Sequence, residues 1–370
     1  MEFIDLKAQQ KLIRESLNAS INKVLDDGRY ILGEEVSNLE NKLSSFCGAQ
    51  HSIGCSNGTD ALIIALLALG VKPGDGVITV PFTYIATLEA IATIGAIPVL
   101  VDVYDSTFNM NPELIDSVIK NSEYNIKAIM PVDLFGLPAR YRLIKEISEK
   151  HGLKVIGDAA QSFGASKDKL NVGKFSDITT TSFFPAKPLG CYGDGGAIFT
   201  DSSEYNKIIR SLAVHGKGTD KYDNIRIGMN SRLDTLQAAI LLEKLKIFEK
   251  EIELRNKIAD LYREKFNNLD VRFQYIPKGY KSVYAQFSIV FDDKVKRDKA
   301  QSLLSKNNIP SVIYYSIPGH LQTGYKYLNY KEGDFPVSEK LSNTILSLPM
   351  HPYLEEKEID IIVRTISKNI

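Results

Sequence analysis

Cysteine and tryptophan are scarce in this chain of 370 residues, which has three of the first and none of the second. Cys47, Cys55 and Cys191 form no CxxC pair, and so small and odd a number indicates reduced thiols and a cytoplasmic protein. The five histidines show no spacing typical of metal ligands, so we predict no metal site.

A surplus of either charge is also missing. Lysine plus arginine number 45, and so do aspartate plus glutamate, so composition does not point to nucleic acid or an anionic membrane as a partner. The longest apolar run, 61–69, is too short to span a bilayer. The first seven residues lack the basic and apolar regions of a signal peptide. We therefore expect no membrane association.

The chain is long enough for two domains. Short apolar runs alternate with helical segments through the first two-thirds, which predicts an α/β domain with a mostly parallel sheet. A long helix from Arg232 turns charged over 250–263 and leads into a smaller α+β domain with a strand-like segment at 311–315. We predict domains at 1–245 and 246–370, with the N-terminal segment free to pack on the second.

Three carboxylates follow predicted strands directly: Asp102, Asp133 and Asp158. In parallel sheets, functional residues gather just beyond the carboxyl ends of the strands. A lone aspartate at such a place can equally cap the next helix.

Lys187 lies in the stretch Ser182-Phe-Phe-Pro-Ala-Lys-Pro-Leu-Gly-Cys-Tyr-Gly-Asp-Gly-Gly196. Its small residues allow a cofactor to approach the backbone. The stretch offers an amine, and Asp158 offers an acid that can keep a ring nitrogen protonated. Pyridoxal 5'-phosphate (PLP) needs both groups, one to form a Schiff base and the other to maintain the ring as an electron sink.

Other segments fit the same cofactor. Asn57-Gly-Thr-Asp-Ala begins a helix, and its free N–H groups with Gly58 and Thr59 suit a phosphate, although an ordinary helix cap has the same pattern. Tyr84 is a candidate for stacking on a flat ring, whereas Phe82 fits the core. Gln161 either reaches the ring's phenolic oxygen or lies on the surface, and Ser182 is ambiguous alone. Gly193–Gly196 lacks the spacing of a dinucleotide fingerprint and predicts a hairpin near Lys187.

Seven motifs in this order resemble the DegT/DnrJ/EryC1/StrS sugar aminotransferases, PLP enzymes of aminotransferase fold type I. They are Asn57-Gly-Thr-Asp-Ala, Pro81-Phe-Thr-Tyr, Gly157-Asp-Ala-Ala-Gln-Ser-Phe-Gly-Ala, Ser182-Phe-Phe-Pro-Ala-Lys, Tyr192-Gly-Asp-Gly-Gly, Asn230-Ser-Arg-Leu-Asp and Leu348-Pro-Met-His-Pro. The N-terminal Glu2-Phe-Ile-Asp-Leu-Lys and the segments 183–192 and 231–242 look most like the branch that acts on UDP-2-acetamido-2-deoxy-3-oxo-glucuronate in bacterial surface-polysaccharide pathways.

The resemblance implies a role for each candidate. Lys187 is the Schiff-base lysine and Asp158 the partner of the pyridine nitrogen. The other implied cofactor contacts are Gln161 at the ring oxygen, Tyr84 on the ring, and Gly58, Thr59, Asp60 and Ser182 around the phosphate. Asn230 reaches the phosphate in the neighbouring subunit of a homodimer, Arg232 binds acidic groups of the substrates, and Tyr314, Tyr315 and His320 complete the substrate site.

The implied reaction moves an amino group from L-glutamate to a keto group of a nucleotide-linked sugar. One departure concerns Tyr314-Tyr-Ser-Ile-Pro318, where the family often has His-Tyr-Pro. A PLP-dependent sugar dehydratase is a rival, but such enzymes carry histidine at the Schiff-base position. A non-catalytic family member is another, and amination at C4 of a 6-deoxy sugar competes with amination at C3.

Overall fold

A computed structural model describes residues 1–220 and 222–367 of the chain. The strands, in chain order, are β1 His51–Cys55, β2 Gly76–Thr79, β3 Ile97–Leu100, β4 Ile126–Ile129, β5 Lys154–Asp158, β6 Ser166–Lys167, β7 Leu170–Asn171, β8 Ile178–Ser182, β9 Gly196–Thr200, β10 Arg272–Phe273, β11 Tyr280–Lys281, β12 Phe287–Val290 and β13 Ile345–Leu348.

Helices cover much of the remaining chain. They are α1 Leu6–Leu12, α2 Arg14–Asp27, α3 Glu34–Cys47, α4 Gly58–Ala68, α5 Ala86–Thr93, α6 Ile115–Asn121, α7 Tyr141–His151, α8 Ser203–Leu212, α9 Thr235–Lys265, α10 Lys294–Lys306, α11 Pro336–Thr344 and α12 Glu356–Ser367. Short 3₁₀ turns occur at Pro112–Leu114, Leu134–Gly136, Gly319–Leu321 and Thr323–Leu328.

The large sheet has the order β1-β9-β8-β5-β4-β2-β3. Neighbouring strands from β8 through β3 are parallel, while β9 is antiparallel to both β1 and β8. The strands β2, β5 and β8 are largely buried, as expected where helices cover both faces of a parallel sheet. The predicted α/β class with a mostly parallel sheet is confirmed.

Helix α4 contributes many of the buried residues in the core of the large domain. Ala61 to Leu66 are all buried, because the helix packs onto the sheet and is apolar on nearly every side. Asn57 caps its start by accepting from the Asp60 N–H over 2.8 Å. No helix in the described part of the chain is long and apolar enough to cross a membrane.

The C-terminal part contains an antiparallel sheet, β10-β12-β13, packed with α10, α12 and the end of α9 around a second core. Helix α9 runs unbroken for 31 residues, so the predicted boundary at residue 245 lies inside it. The N-terminal segment reaches the C-terminal part, where the Met350 N–H donates to Phe3 O over 3.1 Å.

The prediction of a strand over 311–315 is wrong, because the structure has only a single bridge residue there. One isolated bridge joins Val312 to Ser347, after which the chain leaves the sheet edge. The departure brings the hydroxyl of Tyr315 within 2.9 Å of the Gln161 amide nitrogen.

Candidate active site

Lys187 lies in the loop between the antiparallel strands β8 and β9, which agrees with the predicted hairpin. Its backbone N–H donates to Phe184 O over 2.8 Å. The ammonium has no hydrogen bond or ion pair to any described residue, so it is available to a ligand. Burial lowers the pKa of Lys187, and Asp158 opposes that shift. A lowered pKa increases the neutral fraction of the amine, which is the nucleophilic form.

Asp158 ends β5 and is buried. One carboxylate oxygen accepts from the Thr87 hydroxyl over 2.8 Å, and the other accepts from the Ala160 N–H over 3.2 Å. Burial raises the pKa of Asp158, while Thr87, Ala160 and Lys187 each oppose that shift. The acid and the amine expected from the sequence therefore lie close enough to influence each other's ionisation.

The start of α4 and the end of β8 lie against each other. A Cβ at Gly58 would fall 2.7 Å from the Cβ of Ser182, so glycine is required for this approach. The N–H groups of the first helical turn, at Gly58 and Thr59, have no partner within the helix. With the hydroxyls of Thr59 and Ser182 they form a cradle suited to an anion.

Asp60 has a different environment from the one expected. Its carboxylate accepts a short hydrogen bond from Ser56, whose hydroxyl lies 3.0 Å from that of Ser231. Because a second anion near a phosphate is repulsive, we assign Asp60 to holding this turn. The same link ties the start of α4 to the segment that carries Asn230 and Arg232.

The amide of Gln161 has a defined orientation. Its Oε1 accepts from the Phe135 N–H over 2.7 Å, and its Nε2 donates to the Tyr315 hydroxyl over 2.9 Å. The nitrogen retains a second hydrogen for donation. Gln161 is buried, so the alternative of a solvated surface residue is wrong.

Phe82 and Tyr84 differ in burial, as the sequence predicts. Phe82 is fully buried in the core, whereas Tyr84 is 58% exposed. The ring centroids of Tyr84 and Tyr315 are 6.2 Å apart. The Tyr84 ring thus keeps a free face for stacking.

Two predicted substrate residues lie mainly among protein groups. His320 is 2% exposed, and its Nε2 lies 3.0 Å from a carboxylate oxygen of Glu339. The half-buried Tyr314 packs edge-on against Phe3, with centroids 6.3 Å apart. Burial against protein partners gives His320 a structural role here, so we leave it out of the proposed site.

Asn230 is exposed, and Arg232 is partly exposed just before α9 begins. Neither side chain has a hydrogen bond or ion pair within residues 1–220 and 222–367. An unpaired guanidinium is suited to a carboxylate or phosphate of a ligand.

Sequence reasoning missed the groups that hold the candidates in place. Thr87 orients Asp158, and the Thr83 hydroxyl lies 3.0 Å from that of Thr87. The Phe135 N–H fixes the Gln161 amide. Two hydroxyls four residues apart after a strand were the available signal for Thr83 and Thr87.

The residues fit PLP. The Lys187 amine has no hydrogen bond or ion pair among the described residues, the buried Asp158 influences its pKa, and the Gly58 cradle is complementary to a phosphate. Together with the α/β fold, this arrangement defines a PLP-dependent enzyme.

Comparison with known proteins identifies the family. The model of the DegT/DnrJ/EryC1/StrS aminotransferase family matches residues 11–367, and the chain belongs to that family. It is 46% identical over 367 residues to the UDP-2-acetamido-2-deoxy-3-oxo-D-glucuronate aminotransferase of Pseudomonas aeruginosa, covering 99% of each chain. It is 40% identical over 367 residues to the UDP-N-acetyl-3-dehydro-alpha-D-glucosamine 3-aminotransferase of Acidithiobacillus ferrooxidans, covering 99% of this chain and 97% of that one.

A solved aminotransferase of this family from Brucella abortus is 50% identical, with a TM-score of 0.95 over 100% of this chain and 99% of that one. The predicted family and the predicted enzyme class, a PLP-dependent aminotransferase, are confirmed.

Proposed function

We propose that the protein transfers the amino group of L-glutamate to the C3 keto group of a UDP-linked 2-acetamido-2-deoxy-3-oxo-hexuronate. The observation that carries the proposal is the pair Lys187 and Asp158, which influence each other's pKa, in a chain that matches the Pseudomonas aeruginosa enzyme over 99% of both chains. The Acidithiobacillus relative is also named for amination at C3 of a UDP-linked sugar, which favours C3 over C4.

Bound PLP would supply an electron sink for the carbanion that forms when the donor loses its Cα proton. Lys187 provides the attachment amine and then moves that proton as general base and acid. Asp158 would keep the ring nitrogen protonated through its negative charge. Gln161 would donate to the ring oxygen, Tyr84 would cover one ring face, and the Gly58 cradle would hold the phosphate.

The acidic groups of both substrates need cationic partners, because anions removed from water must be paired. Arg232 is partly exposed and unpaired among the described residues, and its planar fork matches a carboxylate. One arginine would bind the glutamate carboxylate in one half-reaction and the uronate in the other. The Tyr315 hydroxyl and ring, fixed by Gln161, would border the sugar nucleotide.

A homodimer with shared active sites is part of the proposal. Near Asn230, the side chains of Ile225 and Ile227 are 55% and 95% exposed. The exposed apolar segment 30–32 joins this region through a bridge between Ile31 and Asp234. Such an apolar surface suits a second copy, which would bring Asn230 to the phosphate of its neighbour.

We place the reaction in the cytoplasm, as a step toward bacterial lipopolysaccharide or O-antigen. The three cysteines are buried free thiols, which fits a reducing compartment. The acceptor of the proposed reaction is a keto sugar nucleotide, so an oxidation of the corresponding sugar hydroxyl must precede this step.

The test measures amination of a panel of keto-sugar nucleotides with glutamate as donor. We expect the highest kcat/KM with the UDP-linked 3-oxo-glucuronate, and loss of turnover by several orders of magnitude in Lys187→Ala. A preference for a 4-keto-6-deoxy sugar would overturn the acceptor assignment. Near-normal turnover of Lys187→Ala would overturn the mechanism.

Mixed dimers test the shared site. We expect Lys187→Ala subunits mixed with Asn230→Ala/Arg232→Ala subunits to regain part of the activity, because one site then has every group intact. Verified mixed dimers without activity would show that each site comes from one chain.

A further inference from the structure

The loop that carries Lys187 folds back on itself. The Cys191 N–H donates to Phe183 O over 2.8 Å and closes the loop at its base. Gly190 lies against the first half of the loop, since a Cβ there would fall 2.6 Å from Phe184 O. The position of Gly190 therefore influences where the Lys187 backbone lies.

A second buried lysine binds this loop from α9. Lys244 is 1% exposed, and its Nζ donates to Gly190 O over 2.6 Å. The same Nζ lies 4.2 Å from the centroid of the Tyr192 ring, which is cation–π geometry. Burial lowers the pKa of Lys244 to about 8, while Glu251 and Cys191 oppose that shift. Among the described residues, the hydrogen bond and the cation–π contact of this buried ammonium are thus both with the end of the Lys187 loop.

Gln237 lies seven residues earlier on the same helix, so it shares a face with Lys244. Its Oε1 accepts from the Tyr192 N–H over 2.9 Å, and its Nε2 donates to Tyr192 O over 3.4 Å. The two side chains thus hold three backbone groups of the segment 190–192.

The far half of α9 is also anchored by buried polar side chains. Glu251 accepts two hydrogen bonds from Gln9 Nε2, at 2.9 and 3.0 Å, and another from the Tyr353 hydroxyl. Arg255 donates to the backbone oxygens of Tyr284 and Met350, at 3.1 and 3.2 Å. Because these contacts come from α1 and from the C-terminal part, α9 is a fixed support for the loop.

We propose that Lys244 and Gln237 are positioning residues, an α9 clamp that holds the segment 190–192 so that the Lys187 amine faces Asp158. The proposal rests on the proposed function, since it gives Lys187 its task. The clamp is nevertheless a property of the protein without cofactor, and it can be measured there.

The first measurement is amide hydrogen exchange in the cofactor-free protein. We expect peptides covering 183–193 to exchange about tenfold faster in Lys244→Met and in Gln237→Leu, because the loop then opens more often. Lys250→Met is the matched control, since it removes an exposed lysine of α9 whose ion pair is with Glu253. We expect its exchange to equal that of the wild type.

The second measurement separates positioning from folding. In the PLP-loaded protein we expect kcat to fall about tenfold or more in Lys244→Met, while KM for glutamate changes by less than about twofold. The midpoint pH of the visible absorbance should also shift, because the Lys187 nitrogen, which is joined to the cofactor in that state, would be displaced relative to Asp158. Lys244→Arg retains a cationic donor and should restore part of both properties.

If amide hydrogen exchange over 183–193 is the same in folded Lys244→Met and Gln237→Leu as in the wild type, the proposed clamp is wrong. If Lys244→Met does not fold, Gln237→Leu decides the question, because loss of a neutral amide leaves no buried charge. A wild-type protein that aminates none of the sugars overturns the proposed function while the exchange result stands.

Discussion

Asp133 and Asp158 lie side by side near the carboxyl ends of the central strands β4 and β5, where the Asp133 N–H donates to Asp158 O over 3.0 Å. Asp133 is enclosed, with its two oxygens accepting from the Ala139 N–H and the Ser162 hydroxyl over 2.8 and 2.7 Å. Burial raises its pKa to about 7. Lys187 instead opposes the rise in the pKa of the buried Asp158. Of these two carboxylates, the one accompanied by an amine belongs to the candidate site.

Asp102 gives a third outcome of the same local pattern. Its carboxylate accepts from the N–H groups of Val337 and Ser338 at the start of α11, over 2.9 and 3.0 Å. It therefore caps a helix more than 230 residues later in the chain and ties the two parts of the protein together.

Replacing Asp158 should have the largest effect. In Asp158→Asn the charge that keeps the ring nitrogen protonated is absent, so we expect the single-turnover rate with glutamate to fall about a thousandfold, or about 4 kcal/mol in the barrier. Cofactor binding should persist in weaker form. A rate equal to that of the wild type would remove Asp158 from this role.

Asp133→Asn should change stability through pH. The pKa of Asp133 is about 7 in the folded protein and 3.8 as its ordinary value, so between these values the folded state binds the extra proton. The free energy of unfolding therefore falls as pH rises through this window. We expect the variant to gain about 3 kcal/mol relative to the wild type between pH 5 and pH 8. Urea unfolding of the two cofactor-free proteins at several pH values gives this free energy. If it changes with pH by the same amount in the variant and the wild type, the assigned pKa of Asp133 is wrong.

Asp102→Asn should cost about 2 kcal/mol of unfolding free energy, because the amide cannot accept at both positions and carries no charge toward the start of α11. Urea unfolding at pH 7 gives the value. Asp105→Asn is the control, because its ion pairs with Arg272 and Lys340 are exposed and should contribute less than about 1 kcal/mol. Equal losses in the two variants would argue against the cap.

Thr87→Val should have the smallest effect. It removes the hydroxyl that donates to Asp158, so the pKa of Asp158 rises further and its hold on the ring nitrogen weakens. We expect PLP affinity to fall about tenfold, about 1.4 kcal/mol, in an equilibrium titration. Thr93→Val, at the exposed end of the same helix, should bind PLP normally. Unchanged affinity in Thr87→Val would mean that Asp158 holds its orientation alone.

Much of the large domain could be predicted because local pattern and tertiary role agree there. Strands such as β2 are short buried runs, and α4 is apolar from Ala61 to its end. Lys187 and Asp158 were predictable because few other residues can perform their chemistry. The sequence could not separate Asp102, Asp133 and Asp158, since each has at least one hydrogen-bond partner in another segment of the chain.

The other features that the sequence did not predict also depend on contacts between segments that are far apart in the chain. Gln161 and Tyr315 are hydrogen-bonded although they lie 154 residues apart in the chain. The local sequence around either residue does not predict this contact. His320 depends on Glu339, which reaches it only in the folded chain. Within α9, Glu251 and Arg255 lie in the charged stretch 250–263, yet both are buried because α1 and the C-terminal part cover them.

The insertion of β9 between β1 and β8 has a consequence for biosynthesis. During translation β1 emerges early, but its neighbour in the sheet is the stretch around Ile198. Until the ribosome has passed that point, β1 has no hydrogen-bonding partner in the sheet and the Lys187 hairpin is open. Such long-range pairing makes completion of the sheet a late event. Nascent chains shorter than about two hundred residues should therefore not retain PLP.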